Sequence, residues 1–335
     1  MLSYSIIVET DNLPTIPWEE FADLVDQLTT QIDCATAENF APQPEILFVF
    51  GGAEDETPEF LATILERFPD LSAVASIRAL GVKDARYYEM KNAGARAAKH
   101  EIIVFLDSDV ILLPGWLTEI LKPFSGASTS GKPILSLGAT FLDCDDWVSR
   151  TFALIWIFPL RKHDQKRIQN RAIFANNLAT LREWFNANPF PDNDGFKVGC
   201  TLFFRNANHH DVEVFRPEAH ALHRPLRGAR FLCWRALVTG RDADRKYALL
   251  KHPGRPRRGW HAIRRSWSNA FRVPRRICRN FRTVKLPAWQ IPQAVLLGWG
   301  FYGIASFEQL LSAAGLSRQR KIGGPERIPE WVDRS

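Results

Sequence analysis

The sequence lacks the cysteine patterns of a disulfide-rich or zinc-binding protein. Its five cysteines are scattered over 335 residues, are odd in number and show no Cys-x-x-Cys spacing. Such usage is typical of reduced thiols in a cytosolic protein and argues against a structural zinc site. The chain also starts without a basic and then apolar leader, so we expect no signal peptide.

Two nucleotide-binding loops are absent as well. The chain contains no Gly-x-x-x-x-Gly-Lys-Ser/Thr segment, which disfavours a P-loop NTPase. No Gly-x-Gly-x-x-Gly follows the first apolar stretch, which disfavours a dinucleotide-binding dehydrogenase. With 46% hydrophobic and 24% charged residues, the composition is that of an ordinary globular protein with one large core or two domains.

The stretch 100–115 organises the rest of the chain. Ile102–Leu106 is a short apolar run rich in β-branched residues, which predicts a buried strand of a parallel sheet. It ends in Asp107-Ser108-Asp109, and two carboxylates there are costly unless something compensates them. A divalent cation that carries a diphosphate would do so, since Mg²⁺ binds one or two carboxylates together with phosphates. The alternative is a turn with two solvated aspartates.

Strands and helices are predicted to alternate along the first half of the chain. This alternation favours a parallel sheet with right-handed crossovers. The predicted strands are Ser5–Val8, Glu45–Phe50, Leu71–Ile77 and, further on, Pro133–Phe141. The predicted helices are Trp18 to Ile32, Phe60–Phe68, Tyr87–Ala98 and the apolar Trp147–Leu160, which is too short to cross a bilayer.

The surroundings of the two aspartates resemble family 2 glycosyltransferases of the A-type nucleotide-sugar-binding fold. The matching motifs are Asn92-x-Gly94-x-x-x-Ala98, the apolar strand, Leu106-Asp107-Ser108-Asp109 and Pro114-Gly115-Trp116-Leu117. The resemblance covers about Ser5 to Asp242. It implies an α/β protein with a mostly parallel central sheet flanked by helices. It also implies transfer of a sugar from a nucleotide-sugar donor, with Mg²⁺ or Mn²⁺ as cofactor.

The same resemblance assigns candidate binding residues. Asp107, Asp109 and His223 are the predicted metal ligands, and His223 stands in the His-x-Pro setting that the family often has. The residues predicted to contact the donor are Glu9, Asp11, Asn92, Gly94, Asp107 and Arg224. For Glu9 and Asp11 the alternative is a solvated turn. The family's Asp-rich turn after the second strand begins here with two glycines, which displaces the carboxylate to Glu54 or Asp55.

The chain departs from the family at the catalytic acid. Where a Gly-Glu-Asp is common, it has Val198-Gly199-Cys200-Thr201. Inverting transfer needs a carboxylate that takes the proton from the acceptor hydroxyl. Asp192 follows Phe-Pro, as the family's acceptor-side acid often does, and is the predicted base, with Asp194 as a weaker alternative. The missing pair also leaves open a catalytically impaired protein that acts as a binding module.

Residues 1–245 are predicted to form the catalytic domain and residues 246–335 a basic helical extension. Lys251–Lys285 has no acidic residue and a dozen Lys/Arg. A stripe at helical spacing, separate from most of these arginines, favours a membrane-surface helix over a nucleic-acid-binding segment. The stripe consists of Trp260, Ile263, Trp267, Ala270 and Phe271. The alternative is that it docks on the protein's own core.

Leu286–Phe307 is free of charged residues over the length of a membrane span. Its prolines and glutamines favour an interfacial or re-entrant segment over a regular span. We therefore expect a cytoplasmic protein held peripherally at the inner face of the membrane. The expected partners are an anionic membrane surface and a lipid-linked or polysaccharide acceptor, but no nucleic acid.

Overall fold

The computed structural model describes residues 3–10, 13, 16–126, 131–156, 160, 174–191, 196–209, 212–224 and 228–317. Within these ranges the strands are β1 (Tyr4–Glu9), β2 (Glu45–Phe50), β3 (Ser76–Gly81), β4 (Ile102–Asp107), β5 (Val110–Leu112), β6 (Ile134–Leu137), β7 (Ala139–Leu142), β8 (Asn177–Leu181), β9 (Glu213–Phe215) and β10 (His220–His223).

The helices alternate with the strands in the first half and dominate the end of the described chain. They are α1 (Trp18–Ala37), α2 (Thr57–Arg67), α3 (Pro69–Val74), α4 (Tyr87–Ala97), α5 (Trp116–Ser125), α6 (Trp147–Ile155), α7 (Arg182–Ala187), α8 (Phe196–His209), α9 (Ala229–Lys251), α10 (Arg255–Asn280) and α11 (Ile291–Ala314).

A seven-stranded sheet with the order β3-β2-β1-β4-β8-β6-β9 forms the centre. Strand β8 runs antiparallel to both of its neighbours, and the other pairs are parallel. Every residue of β1, β2 and β4 is buried, because helices cover both faces of a parallel sheet. One apolar core lies under α1 and α5, and the other lies under α4, α7 and α8. The predicted fold class is confirmed.

A second sheet of three strands, β5-β10-β7, lies beside the carboxyl end of β4. The predicted single strand Pro133–Phe141 is therefore two strands, since β6 belongs to the large sheet and β7 to the small one. Gly138 makes the step between them, and a Cβ there would lie 2.1 Å from Oδ1 of Asn177. The third strand was also misplaced, because Leu71 belongs to α3 and β3 begins at Ser76.

Helices α9, α10 and α11 pack together as one helical unit. Its apolar core continues into α6 and Leu142, at the edge of the small sheet. The predicted division between residues 245 and 246 falls inside α9, and this helix packs against α11. The structure therefore places the start of the helical unit at Ala229, because α9 shares its core with the helices that follow.

The crossing of α9 and α11 depends on Gly240. A Cβ at this position would lie 2.0 Å from the carbonyl oxygen of Ala305, and backbone atoms cannot move aside cheaply. Gly240→Ala should destabilise the fold by about 1–3 kcal/mol through this clash, although alanine is the better helix former. The free energy of unfolding in urea measures the loss.

The matched control is Gly259→Ala in α10, where a Cβ would meet no atom within 4 Å. This variant should be stabilised by up to about 1 kcal/mol, because alanine is favoured over glycine in a helix. Effects of the same sign at the two positions would contradict the close crossing.

Candidate functional site

Three carboxylates gather where β1 and β4 end. The parallel register places Glu9 beside Asp107, and the amide of Ser108 donates to the carbonyl of Glu9 at 2.9 Å. Glu9, Asp107 and Asp109 are all buried. The carboxyl ends of strands in an open α/β sheet are where ligands bind, so a ligand site is expected at this edge.

Two side chains of helix α4 compensate the buried negative charge of Asp107. Nζ of Lys91 lies 2.5 Å from Oδ1 of Asp107 and also donates to the carbonyl of Leu106 at 3.1 Å. The hydroxyl of Tyr87 donates to both carboxylate oxygens, at 3.0 and 2.9 Å. Burial, and next the charge of Asp107, raise the pKa of Tyr87, which keeps this phenol a neutral donor. The carboxylate of Asp107 is thus paired with a buried cation and with a hydroxyl donor, both from α4.

Asp109 instead meets a histidine. Strand β10 pairs His223 with Val110, and Nε2 of His223 lies 3.5 Å from Oδ2 of Asp109. Nδ1 of the same ring lies 2.7 Å from the carbonyl oxygen of Arg224. Because a carbonyl oxygen only accepts, Nδ1 donates in this contact, and Nε2 is the ring nitrogen that faces Asp109. Burial raises the pKa of Asp109, and the nearby His223 opposes that rise.

The helical unit supports this histidine through the segment that ends α6. The ring of Trp156 packs edge-on against His223 with centroids 6.2 Å apart, and the guanidinium of Arg235 from α9 lies over Trp156 at 5.3 Å. From α11, Tyr302 donates to the carbonyl of Ile155 at 2.6 Å. The ring of His223 is thus held by residues that the helical unit fixes in place.

The donor-contacting residues predicted from the resemblance have varied surroundings. Asn92 bonds the backbone of Phe190 through both amide atoms, at 2.8 and 3.1 Å. Gly94 allows α4 to approach β1, since a Cβ would lie 2.5 Å from Ile7. These contacts account for Asn92 and Gly94 without a ligand. Their contact with the donor stays a prediction, as does that of Asp11, which lies outside the described residues.

Arg224 is already engaged by α1. Its Nη2 lies 2.8 Å from a carboxylate oxygen of Asp23, and its Nε lies 3.7 Å from that of Glu20. Its backbone amide donates to the carbonyl of Asp109 at 2.9 Å, so the residue stands next to the predicted metal ligands. A contact from this guanidinium to a phosphate would require it to leave the carboxylates of α1.

Tyr88 contacts Gly199 and Cys200, the positions at which the resemblance leads one to expect the acidic pair. Its hydroxyl donates to Sγ of Cys200 at 3.0 Å, and a Cβ on Gly199 would lie 2.3 Å from its ring. Its ring also packs on Phe190 with centroids 4.9 Å apart. Burial raises the pKa of the Cys200 thiol, so this cysteine is no substitute for the carboxylate base. The predicted base Asp192, like Asp194, lies outside the described residues.

The donor set at Asp109 and His223 fits a divalent cation. Among the described residues no group of three or more His, Cys, Asp or Glu side chains is arranged to hold a metal. One carboxylate and one neutral imidazole remain a suitable pair when phosphate oxygens complete the coordination. Asp107 is the weaker candidate ligand, since Lys91 and Tyr87 already occupy its oxygens.

Sequence reasoning missed the residues that surround the predicted ones. Lys91 and Tyr87 lie four residues apart, hence on one face of α4, and a helix that leads into a strand packs along it. That spacing was a usable signal for a cation beside Asp107. Trp156 gave no comparable signal, because its contact with His223 joins segments 67 residues apart.

The ion pair of Lys91 with Asp107 should be essential for stability. Lys91→Met keeps the side-chain volume but leaves the carboxylate buried without its cation, which should cost about 3–5 kcal/mol. Lys122→Met, which removes an exposed pair with Glu119, should cost at most about 1 kcal/mol. Urea unfolding of both variants measures the difference, and equal losses would show that Lys91 does not stabilise Asp107.

Comparisons with known proteins agree with this fold. Residues 5–131 match the model of glycosyl transferase family 2. A search of the curated proteins found no match. Among solved structures, a mannosyltransferase from Pyrobaculum calidifontis in complex with GDP-Man and Mn²⁺ is 16% identical, with a TM-score of 0.50, over 96% of this chain and 88% of that chain.

Two further structures are similar at lower scores. S. aureus TarS 1–349 with UDP-GlcNAc is 11% identical over 94% of this chain and 92% of that chain, with a TM-score of 0.46. Glucosyl-3-phosphoglycerate synthase from Mycobacterium tuberculosis with Mn²⁺, UDP-Glc and phosphoglyceric acid is 14% identical over 74% and 79%, with a TM-score of 0.44. At the identity of the mannosyltransferase the likeness is one of fold. The chain thus has the α/β fold of the A-type glycosyltransferases, and its residues 5–131 match glycosyltransferase family 2.

Proposed function

We propose that this protein transfers a sugar from a nucleotide-sugar donor to a lipid-linked or cell-envelope glycan at the cytoplasmic face of the membrane, with Mg²⁺ or Mn²⁺ as cofactor. One observation carries the proposal. Nε2 of His223 and the carboxylate of Asp109 converge at the carboxyl edge of a sheet whose first strands match a glycosyltransferase family.

Asp109 and His223 would hold the cation, and the diphosphate of the donor would supply further oxygens. When bound, the cation stabilises the negative charge that builds on the leaving diphosphate. The hydrogen bond from Nδ1 of His223 to the carbonyl of Arg224 keeps the ring in the tautomer that binds metal. Asp107 and Glu9 present carboxylates at the same edge for the polar groups of the donor.

Asp192 is the proposed base that takes the proton from the acceptor hydroxyl in an inverting reaction. The support comes from residues that precede and follow it in the sequence. Phe190, two residues before it, is held by Asn92 and Tyr88, and Tyr88 also contacts Cys200, eight residues after it. Tyr88 in turn adjoins Tyr87, which donates to Asp107.

The second candidate function is a binding module without catalysis. The observation that favours it is the contact of Tyr88 with Gly199 and Cys200, since these residues leave no room or charge for the family's acidic pair. Both functions require donor binding, so turnover separates them. A module would bind the nucleotide with its cation and would transfer no sugar.

Asp109→Asn should abolish the cation-dependent binding of a nucleoside diphosphate, because an amide does not replace an anionic ligand. Calorimetric titration with the nucleotide, with and without Mn²⁺, measures this binding. Asp70→Asn on the exposed side of α3 is the control and should bind as the wild type does. An unchanged Mn²⁺-dependent affinity in Asp109→Asn would reject the metal assignment.

Asp192→Ala should lower kcat by about two orders of magnitude or more, which is the usual effect of losing a general base, while donor affinity stays nearly unchanged. Asp194→Ala is the matched control and should cost much less. The readout is the initial rate of sugar release from the donor with a glycan acceptor. Turnover of Asp192→Ala within a few-fold of the wild type would move the base elsewhere.

A further inference from the structure

The aromatic stripe of α10 faces solvent and not the protein. Trp267 and Phe271 are 64% and 70% exposed, and Trp260 is 68% exposed. The face that α10 buries is a different one, formed by Ala262, Asn269, Val273 and Ile277. The alternative in which the stripe docks on the protein's own core is therefore wrong for this helix.

Helix α11 also has an exposed face, and this face is almost entirely apolar. Leu296 and Phe307 are 64% and 62% exposed. The exposed positions recur at helical spacing along the whole helix, at Pro292, Gln293, Leu296, Trp299, Gly300, Gly303, Phe307, Leu310 and Ala314. Only Gln293 among them is polar. A globular protein rarely leaves so long an apolar face in water unless it covers a partner or a membrane.

The two exposed faces adjoin each other. Nε1 of Trp299 donates to the carbonyl of Ala270 at 3.0 Å, so this ring lies at the seam between α11 and α10. Gln309 meets His261 at 3.2 Å further along, which shows that the two helices run side by side in opposite directions. The aromatic stripe of α10 and the exposed face of α11 thus form one two-helix apolar surface.

The opposite face of α11 packs inside the protein. Its backbone at Ala305 touches Gly240, and its buried Glu308 accepts from Ser317. The segment Ala288–Ala314 is long and apolar enough to cross a membrane by length and composition. If α11 crossed the membrane, Glu308 would lie in hydrocarbon and the packing of α11 on α9 and α10 would be lost. Both changes are costly.

The charge beside this surface indicates an anionic partner. Exposed arginines flank the aromatic stripe along one side of α10, at Arg257, Arg264, Arg272, Arg275 and Arg279. Each basic residue near an anionic leaflet contributes about 1 kcal/mol, and aromatic side chains favour the depth of the headgroups. An apolar surface with a one-sided basic flank fits the interface of an anionic membrane.

We propose that α10 and α11 lie side by side in the plane of one leaflet of an anionic membrane, with the two-helix apolar surface inserted and with α11 not crossing the bilayer. The surface then orients the catalytic sheet toward lipid-borne substrate. This inference rests on the proposed membrane location of the acceptor, but it does not require sugar transfer.

Point substitutions on the full chain test the surface, since truncation would strip α6 of its packing partners. Vesicle flotation with phosphatidylcholine alone and with added phosphatidylglycerol gives the bound fraction. Phe307→Glu and Trp267→Glu should each lower the affinity for the anionic vesicles about tenfold or more, because each removes a buried aromatic side chain from the interface. Leu65→Glu, an exposed apolar position on α2, should bind as the wild type does.

Spin labels on α11 distinguish an in-plane helix from a span. The labels follow Leu296→Cys, Gly303→Cys and Leu310→Cys, after serine has replaced the exposed cysteines Cys34, Cys233 and Cys278. Collision of the label with oxygen and with a nickel complex reports its depth. An in-plane helix should give the same depth at the three positions, about 5–10 Å below the headgroups. A span would separate the end positions by about 21 Å along the bilayer normal.

Three results would overturn the inference. These are a depth gradient along α11, equal binding of Phe307→Glu and the wild type, and a soluble dimer that Phe307→Glu turns into a monomer while neither protein floats. The last would assign the surface to a second copy of the chain. Titration of a nucleoside diphosphate with Mn²⁺ in vesicle-free buffer runs alongside, so that a failure of the donor site is recorded separately from a failure of the surface.

Discussion

The buried ion pair between Lys91 and Asp107 is the interaction on which the rest of the site depends. The parallel register of β1 and β4 brings Glu9, Asp107 and Asp109 to one edge, where three carboxylates share a buried space. Burial of an uncompensated carboxylate is expensive, so Lys91 allows this edge to form in the absence of a ligand. Asp109 then remains beside His223, where a bound cation would compensate its buried negative charge.

The second constraint is the way in which the helical unit reaches the site. Trp156 contacts His223 on one side and lies under Arg235 of α9 on the other, and the neighbouring Ile155 accepts from Tyr302 of α11. The same α11 presents Phe307 to the outside. One face of this helix therefore supports His223, the proposed metal ligand, while the opposite face forms part of the proposed membrane surface. The helix fixes the position of the one relative to the other.

The parts of the fold that local pattern decides were predicted from the sequence. The apolar run of β4 and its terminal aspartates are short-range signals, and β2 was predicted to the residue. The errors came from features that pattern does not encode. The stretch after Pro133 divides between two sheets. Local pattern also does not show that α9 runs across residue 245, since its partner, α11, lies about 60 residues further on. The role of Lys91 needed the packing of α4 on β4, and the exposure of Trp267 needed the choice of the buried face of α10.

A crystal structure of the protein with Mn²⁺ and a nucleoside diphosphate tests the central claim most directly, through the anomalous signal of the metal. The account predicts one manganese bound by Oδ2 of Asp109 and Nε2 of His223, with phosphate oxygens in its remaining positions and with Lys91 still paired to Asp107. Manganese on Asp107 with Lys91 displaced, or a bound nucleotide without metal at His223, would contradict it.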